Sequence, residues 1–306
     1  SLQILNNLLT ISDVIYCTSL EAYQGSATPA DARVHAARPH PGQILISTRI
    51  RQIMQGSEIL AGHKDCSKVQ DPYSFRCAPQ VHGAVYEALI GMRETIQIEL
   101  NSTTDNPLVF PETTDHQSTI ISQGNFHGEI LALCADRMSL ALFELGSISE
   151  RRMDQLLDSK KSGLPPFLAT NSGLESGMMI VQYSAGSALA EMHGHAAPRT
   201  SFSTSTSAGQ EDHVSMGATA CWNLYQSCIR LSEVLACELV IACQGLEYNS
   251  LNPAPFVKSL HKLVRTISPK LTKDRSTSTE LQSIAKILRK GTWLSRIEAE
   301  NGRLVR

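Results

Sequence analysis

A polar segment whose side chains would suit a binding site precedes a long stretch with apolar residues at helical spacing. Residues 64–77 combine amide, carboxylate, phenol and guanidinium groups. Arg76 offers a planar fork of donors that suits a carboxylate, and Tyr73 offers a hydroxyl three positions earlier. Loops held by rigid helices are where binding sites are usually built. A structural interpretation stays open, in which Asp71 caps a turn and Arg76 pairs with an acid.

Two further polar clusters precede segments that are apolar on nearly every face. Residues 207–213 read Ser-Ala-Gly-Gln-Glu-Asp-His, and residues 122–129 read Ser-Gln-Gly-Asn-Phe-His-Gly-Glu. Ser207 fits the first position of a capping box, and Asn125 fits a simple N-cap. Capping does not explain why Glu211 stands before an apolar helix, because a charge is costly to bury without a partner. Both clusters are therefore candidate functional segments.

Metal and nucleophile chemistry have weaker support. Three pairs of potential ligands lie close together in the sequence: His63 with Cys66, Cys77 with His82, and His193 with His195. None has a recognised zinc spacing, so we expect no metal site. No Gly-x-Ser-x-Gly elbow is present, which argues against a Ser-His-Asp hydrolase.

Composition excludes two classes of protein. The chain has 306 residues, 27 Lys or Arg against 29 Asp or Glu, and a hydrophobic fraction of 42%. No uncharged apolar run reaches the roughly 18 residues that a membrane span needs, so we expect no membrane segment. The balanced charge argues against a dedicated nucleic-acid binder. Residues 257–306 carry 12 basic and 4 acidic side chains, which we interpret as a solvated basic tail.

Cysteine usage and the first residues bear on the compartment. The eight cysteines include no Cys-x-x-Cys pair and are too sparse for a disulfide scaffold. We therefore expect reduced thiols and a cytoplasmic protein. The opening Ser-Leu-Gln-Ile-Leu lacks the zones of a signal peptide and already has a helical pattern, which predicts that the chain is part of something longer.

Helical spacing of apolar residues dominates the chain. One stripe runs from Val81 to Leu100 in steps of three and four, which predicts an amphipathic helix of about five turns. Residues 126–145 and 214–243 are apolar on nearly every face, which predicts two helices at the centre of a bundle. Residues 108–110 and 118–121 could pair as a small hairpin.

Breaks rich in proline, glycine or Ser/Thr separate the helical segments. They fall at residues 37–42, Asp71-Pro72, Asn106-Pro107, Pro165-Pro166 and 200–207. None is long and polar enough to mark a domain boundary. We therefore predict a mainly α fold, with residues 1–306 forming a single helical unit.

Five motifs in order along the chain carry a family resemblance. Residues 69–77 read Val-Gln-Asp-Pro-Tyr-Ser-Phe-Arg-Cys, and Glu-Leu-Asn-Ser with Thr-Asp-Asn-Pro follows within residues 99–107. Gly-Asn-Phe-His, Ser-Glu-Arg-Arg and Gln-Glu-Asp-His-Val-Ser-Met-Gly begin at Gly124, Ser149 and Gln210. Together they resemble the aromatic amino acid ammonia-lyases, specifically the histidine ammonia-lyases. The resemblance implies a long antiparallel helical bundle, a homotetramer, and active sites built from more than one subunit.

The same resemblance implies an electrophilic group, 4-methylideneimidazole-5-one (MIO), which the family forms from an Ala-Ser-Gly tripeptide. The sequence contains no Ala-Ser-Gly. Residues 184–186 and 207–209 read Ser-Ala-Gly, which is the wrong order. We therefore expect this chain to be the C-terminal part of a longer ammonia-lyase, with the precursor of the electrophile outside it.

Five residues match positions with roles in the family. By resemblance, Arg76 binds the substrate carboxylate, while Tyr73 and Gln70 line the reacting end. Phe126 places an aromatic face beside the substrate or electrophile. Glu211 meets the substrate imidazole or moves a proton, and relatives that act on phenylalanine or tyrosine generally carry Gln there.

The resemblance implies elimination of ammonia from L-histidine to give urocanate. A phenylalanine or tyrosine ammonia-lyase or aminomutase is the alternative within the family. An alternative of another class is an assembly fragment that is inactive until a partner supplies the electrophile.

Overall fold

The computed structural model describes residues 2–62 and 70–306. In these residues the helices are, in chain order, α1 (Leu2–Tyr23), α2 (Ala32–Ala36), α3 (Pro41–Ile53), α4 (Glu58–Gly62), α5 (Tyr73–Arg76), α6 (Ala78–Glu99), α7 (Glu129–Leu157), α8 (Ser159–Ser162), α9 (Met179–Ala196), α10 (Gly217–Leu246), α11 (Pro255–Arg265), α12 (Ser278–Lys290) and α13 (Thr292–Asn301). Short 3₁₀ turns occupy Thr28–Ala30, Pro166–Leu168 and Ser207–Gly209. Strands β1 (Leu108–Phe110) and β2 (Thr119–Ile121) pair antiparallel. The predictions of a mainly α fold and of a minor hairpin are confirmed.

The predicted breaks fall between regular elements or at the first residues of one. Pro41 is the first residue of α3, a position where its missing N–H breaks no helical hydrogen bond. Asp71-Pro72 directly precedes α5, and Asn106-Pro107, which has a cis peptide bond, directly precedes β1. Residues 200–207 lie in the connection between α9 and α10.

The predicted helices are present, but their starts differ. The stripe from Val81 becomes α6, whereas α7 and α10 each begin three residues later than predicted. The N-cap of α7 is Gly128 rather than Asn125, and Ser207 lies in a 3₁₀ turn ten residues before α10. Both capping predictions are therefore wrong. The residue before α10, Met216, has left-handed backbone and no capping side chain, so the chain enters this helix through a sharp turn.

Helix α10 packs against α7, α9, α1 and α12, and α7 also packs against α6 and α9. Gly217, at the start of α10, lies against the carbonyl of Gly128 at the start of α7. Near the other end, Gly245 of α10 lies against Leu156 of α7. Helices α7 and α10 therefore run side by side in the same direction, and their N-terminal ends meet.

The core is formed by α1 and the second half of α10. Residues 7–23 and 234–246 are buried without interruption, so these segments are enclosed on all faces. The buried apolar side chains form one cluster that extends from Leu5 to Leu304. Central burial of α10 was predicted, but Trp222, in the first half of that helix, is 60% exposed.

The C-terminal segment is folded rather than a solvated tail. Residues 257–306 include most of α11 and all of α12 and α13, whose apolar faces bury Leu260, Leu288 and Ile297. The tail interpretation was wrong because the basic residues alternate with an apolar stripe of helical spacing. In the part of the chain that the structure describes, no helix is both long and apolar enough to cross a membrane.

One buried carboxyl group joins the end of α1 to two later helices. Glu21 accepts hydrogen bonds from the Ser57 hydroxyl and from the Ala254 N–H, which precede α4 and α11. Burial raises the pKa of Glu21 from 4.5 to about 7, although these two hydrogen bonds favour the carboxylate. Folding therefore favours the protonated form of this side chain.

This raised pKa predicts a loss of stability with rising pH. Between pH 4.5 and 7 the folded state binds more protons than the unfolded state. Because of Glu21, the free energy of unfolding therefore falls by roughly 3 kcal/mol as the pH rises across that window. We expect Glu21→Gln to lose less stability than the wild type between pH 5 and pH 8, measured by urea unfolding. Glu144→Gln, which neutralises an exposed carboxylate on α7, is the control. Parallel curves for wild type and Glu21→Gln would contradict the assignment.

Candidate functional site

The first polar segment forms part of the wall of a large cavity. Gln70, Tyr73 and Arg76 line a cavity of about 1070 Å³ beside the single-turn helix α5. The Arg76 guanidinium lies over the Tyr73 ring, 4.6 Å from its centroid. The Nε atom of Arg76 is buried and has no hydrogen-bond partner among the described residues. A cation with an unused donor in a cavity wall is suited to bind an anionic group such as a carboxylate.

In the described part of the chain, sequence reasoning missed five polar residues of this cavity, two of which are Gln80 and Thr28. Gln80, in the first turn of α6, and Thr28, in a 3₁₀ turn, line the same space. The spacing of four residues from Arg76 is a signal that could have identified Gln80, whereas Thr28 is brought there only by the tertiary fold. Residues 63–69, which include His63 and Cys66 of one pair of potential ligands, lie outside the described residues.

Two buried side chains hold α5 in place through its backbone. The Tyr16 hydroxyl donates to the Phe75 carbonyl at 2.9 Å. Arg152 Nη1 donates to the Ser74 carbonyl at 3.4 Å. The Phe75 ring also stacks on Tyr23, with centroids 4.5 Å apart. These contacts fix the turn that carries the side chains of Tyr73 and Arg76 into the cavity.

Arg152 is itself fixed by a fully buried ion pair. Its Nε and Nη2 atoms lie 2.5 and 2.9 Å from the two carboxylate oxygens of Glu238 on α10. The hydroxyls of Ser19 on α1 and Ser149 on α7 donate to the same carboxylate at 2.7 and 2.5 Å. The Ser149–Arg152 motif of the sequence therefore has a structural role: it joins α1, α7 and α10 beneath α5.

The other two predicted site residues lie at the opposite end of α7. Phe126 precedes the helix and is 57% exposed. Glu211 is exposed in the loop before α10, where its carboxylate accepts a hydrogen bond from the Thr206 hydroxyl at 2.6 Å. Hydrogen bonds from the Thr206 and Ser207 side chains lower the pKa of Glu211. The side chain is therefore a charged acceptor at neutral pH.

A histidine pair brings the segments of Phe126 and Glu211 together. His127 Nε2 lies 3.2 Å from the carbonyl oxygen of His213, and the two rings stack with centroids 5.7 Å apart. The N-terminal ends of α7 and α10 meet beside them. Since a helix N-terminus carries partial positive charge, this end of the bundle favours negative charge on a ligand.

The histidine pair also raises the question of a metal ion. Ligand atoms of His127, Glu129 and His213 lie within 4.8 Å of one another, a grouping that sequence spacing did not indicate. The positive ends of two helices oppose a cation at this place. The absence of a metal site stays a prediction. Of the pairs of potential ligands considered in the sequence, one is separated: the His82 ring is hydrogen-bonded to Asp13 at 2.8 Å, while Cys77 lines the cavity.

One chain does not bring all five predicted residues into one site. Arg152, which contacts α5, lies 23 residues after Glu129 at the start of α7. At 1.5 Å per residue the two ends are roughly 35 Å apart. Gln70, Tyr73 and Arg76 therefore form one group, and Phe126 with Glu211 forms another, far from the first.

This chain contains no precursor for the electrophile implied by the family resemblance. The sequence has no Ala-Ser-Gly. Residues 184–186 lie inside α9, where the Ser184 hydroxyl donates to the Ile180 carbonyl at 3.1 Å. Residues 207–209 form a 3₁₀ turn and have the same wrong order. Neither string provides a precursor for the group.

The buried ion pair under α5 predicts a large loss of stability. Glu238→Ala leaves the Arg152 charge buried without its partner, so we expect a loss of about 3–5 kcal/mol in the free energy of unfolding. Glu300→Ala is the control, because it breaks an exposed pair with Arg296 and should cost at most about 1 kcal/mol. Urea unfolding of both variants measures the difference. Equal losses would contradict a structural role for the buried pair.

Comparison with known proteins agrees with this architecture. The family model for aromatic amino acid lyases matches residues 1–266. The chain is 40% identical over 294 residues to the histidine ammonia-lyase of Myxococcus xanthus, covering 96% of this chain and 57% of that protein. The crystal structure of histidine ammonia-lyase from Trypanosoma cruzi superposes with a TM-score of 0.87 at 35% identity, covering 97% of this chain and 55% of that one.

A tyrosine aminomutase from Streptomyces globisporus superposes with a TM-score of 0.91 at 30% identity, covering 99% of this chain and 62% of that one. The chain thus spans a little over half the length of these relatives. Its helical bundle and the match over most of its residues lead to one conclusion: the chain belongs to the aromatic amino acid lyase family.

Proposed function

We propose that the protein containing this chain eliminates ammonia from L-histidine and releases urocanate. The observation that carries the proposal is the charged carboxylate of Glu211, in a loop that meets the segment of Phe126. An imidazole N–H donates a hydrogen bond to a carboxylate, whereas a phenyl ring has no such donor. The M. xanthus and T. cruzi relatives, both named histidine ammonia-lyase, support this assignment.

The cavity beside α5 supplies the other half of substrate recognition. In the proposed site Arg76 binds the carboxylate of the amino acid as a charge-assisted pair. Tyr73 and Gln70 line the same wall, and in the proposed site they contact the reacting end of the substrate. Phe126 provides an aromatic surface for the substrate ring. Glu211 holds the imidazole or takes up a proton.

The electrophile is the one chemical part that these residues do not provide. Aromatic amino acid lyases use MIO, which makes the amino group of the substrate a better leaving group. We infer that the protein uses MIO and that its precursor is supplied by residues outside this 306-residue chain. The described side chains bind and orient the substrate around it.

The separation of the two groups of site residues favours an oligomer. Because roughly 35 Å of α7 separates Arg76 from Glu211, one active site needs residues from at least two copies of the chain. Leu133 and Leu140 of α7 and Trp222 and Tyr225 of α10 are exposed apolar side chains that an assembly could cover. We propose a homotetramer of identical subunits, as the resemblance implies.

A cytoplasmic location is part of the same proposal. The seven cysteines of the described residues are all free, which suits a reducing compartment.

A phenylalanine or tyrosine ammonia-lyase or aminomutase is the second candidate. The superposition with a tyrosine aminomutase favours it. To decide between the two candidates, the product of the longest open reading frame that encodes this sequence is incubated with L-histidine, L-phenylalanine and L-tyrosine, and the products are analysed. Urocanate from histidine supports the first candidate, whereas an arylacrylate or a β-amino acid supports the second.

Glu211→Gln is the direct test of substrate recognition. Loss of a hydrogen bond to a charged acceptor should lower kcat/KM for histidine by about 10–100-fold. The assay follows urocanate absorbance with the product of the longest open reading frame that encodes this sequence. Asp212→Asn is the matched control, since it neutralises the adjacent carboxylate, and it should change the rate by less than about threefold. An unchanged rate in Glu211→Gln would remove Glu211 from the site.

An assembly fragment that is inactive alone is the candidate of another class. Its basis is the missing Ala-Ser-Gly, together with the exposed apolar faces of α7 and α10. We expect the purified 306-residue chain to release no urocanate from histidine and to associate at micromolar concentration in sedimentation velocity. Turnover by this chain alone would refute the fragment hypothesis. A monodisperse monomer would show that the apolar faces need no cover.

A further inference from the structure

The loop that carries Glu211, residues 206–216, has an unfavourable backbone. Ser207, Ala208 and Met216 have φ angles of 51°, 54° and 53°, in the left-handed region that residues with a Cβ atom seldom adopt. Such conformations persist only where surrounding contacts hold them. The position of Glu211 therefore depends on what holds this loop.

Most of the contacts within the loop shape it without attaching it to the bundle. The Thr206 N–H donates to the Glu211 carbonyl at 2.9 Å, and the Glu211 N–H donates back to the Thr206 carbonyl at 3.3 Å. The Val214 N–H donates to the Ser203 hydroxyl at 2.9 Å. All of these partners belong to the connection between α9 and α10.

Apart from two hydrogen bonds to the first turn of α10, one hydrogen bond within residues 2–62 and 70–306 attaches this loop to a residue outside that connection. It joins His127 Nε2 to the His213 carbonyl oxygen at 3.2 Å. A carbonyl oxygen only accepts, so His127 Nε2 carries the hydrogen and donates. His127 directly follows Phe126 in the segment that begins α7. One side chain therefore connects the segment of Phe126 to the loop of Glu211.

We propose that His127 is a positioning residue that fixes Glu211 relative to Phe126. The proposal rests on the function proposed above, because it assigns both residues to the same substrate ring. His127 acts through the backbone carbonyl of His213. The imidazole of His213 is therefore expendable, although it stacks on His127. A metal ion held by both histidines would instead require both rings.

Hydrogen exchange in the 306-residue chain tests the attachment without any catalytic assay. His127→Phe keeps an aromatic ring but removes the donor, so we expect amides of residues 206–214 to exchange about five times faster. His127→Gln retains an N–H donor and should restore part of the protection. His213→Gln retains its carbonyl and should exchange like the wild type. Unchanged exchange in His127→Phe, or equal acceleration in His213→Gln, would overturn the proposal. The amides of α10 serve as the internal control for folding.

A double-mutant cycle tests the functional part in the product of the longest open reading frame. His127→Phe should lower kcat/KM for histidine about tenfold. If His127 acts through Glu211, the double variant His127→Phe, Glu211→Gln should be no more than about twofold slower than Glu211→Gln alone. Multiplicative losses would overturn the positioning role. If the wild type does not convert histidine, the proposed function fails, while the exchange experiment still decides whether His127 holds the loop.

Discussion

The rest of the structure depends on the buried ion pair of Arg152 and Glu238, which joins separate parts of the chain. Both side chains are removed from water, and each has its hydrogen-bonding groups directed at neighbours on α1, α5 and α7. A buried ion pair stabilises a fold only when its partners are well satisfied, and losing one partner leaves an uncompensated charge. The arrangement therefore tolerates few alternatives at either position. It also explains why a single helical turn, α5, can hold Tyr73 and Arg76 in a defined place.

The parallel course of α7 and α10 determines where the candidate site residues lie. Their shared direction puts two helix N-termini at one end of the bundle, beside His127 and His213. The ion pair and α5 lie near the other end. The two ends of the α7–α10 pair thus present different sets of groups, acidic and aromatic at one end and cationic and phenolic at the other.

Much of the fold could be predicted because local rules decide it. The stripe from Val81 specifies α6, and the prolines at residues 39 and 41 end one helix and begin another. Central burial of residues 7–23 was not predicted, because the polar side chains among them, such as Asp13 and Glu21, find partners that only the tertiary fold provides. The helix starts near residues 126 and 214 were placed three residues too early, because turns that precede α7 and α10 leave no cap in the sequence.

Residue types suggested the members of the candidate site, but the sequence could not give their arrangement. Arg76 was predicted to bind a carboxylate, and Glu211 was an acid that capping did not explain, yet nothing in their spacing shows that α7 separates them. That separation has a genetic consequence. If sites form between copies, one chain defective at Arg76 and another defective at Glu211 could rebuild an intact site between them, so two inactive alleles would complement each other. In an assembly of mutant and normal chains, a mutant chain would also impair the sites that it forms with its normal neighbours. Some substitutions would therefore be dominant.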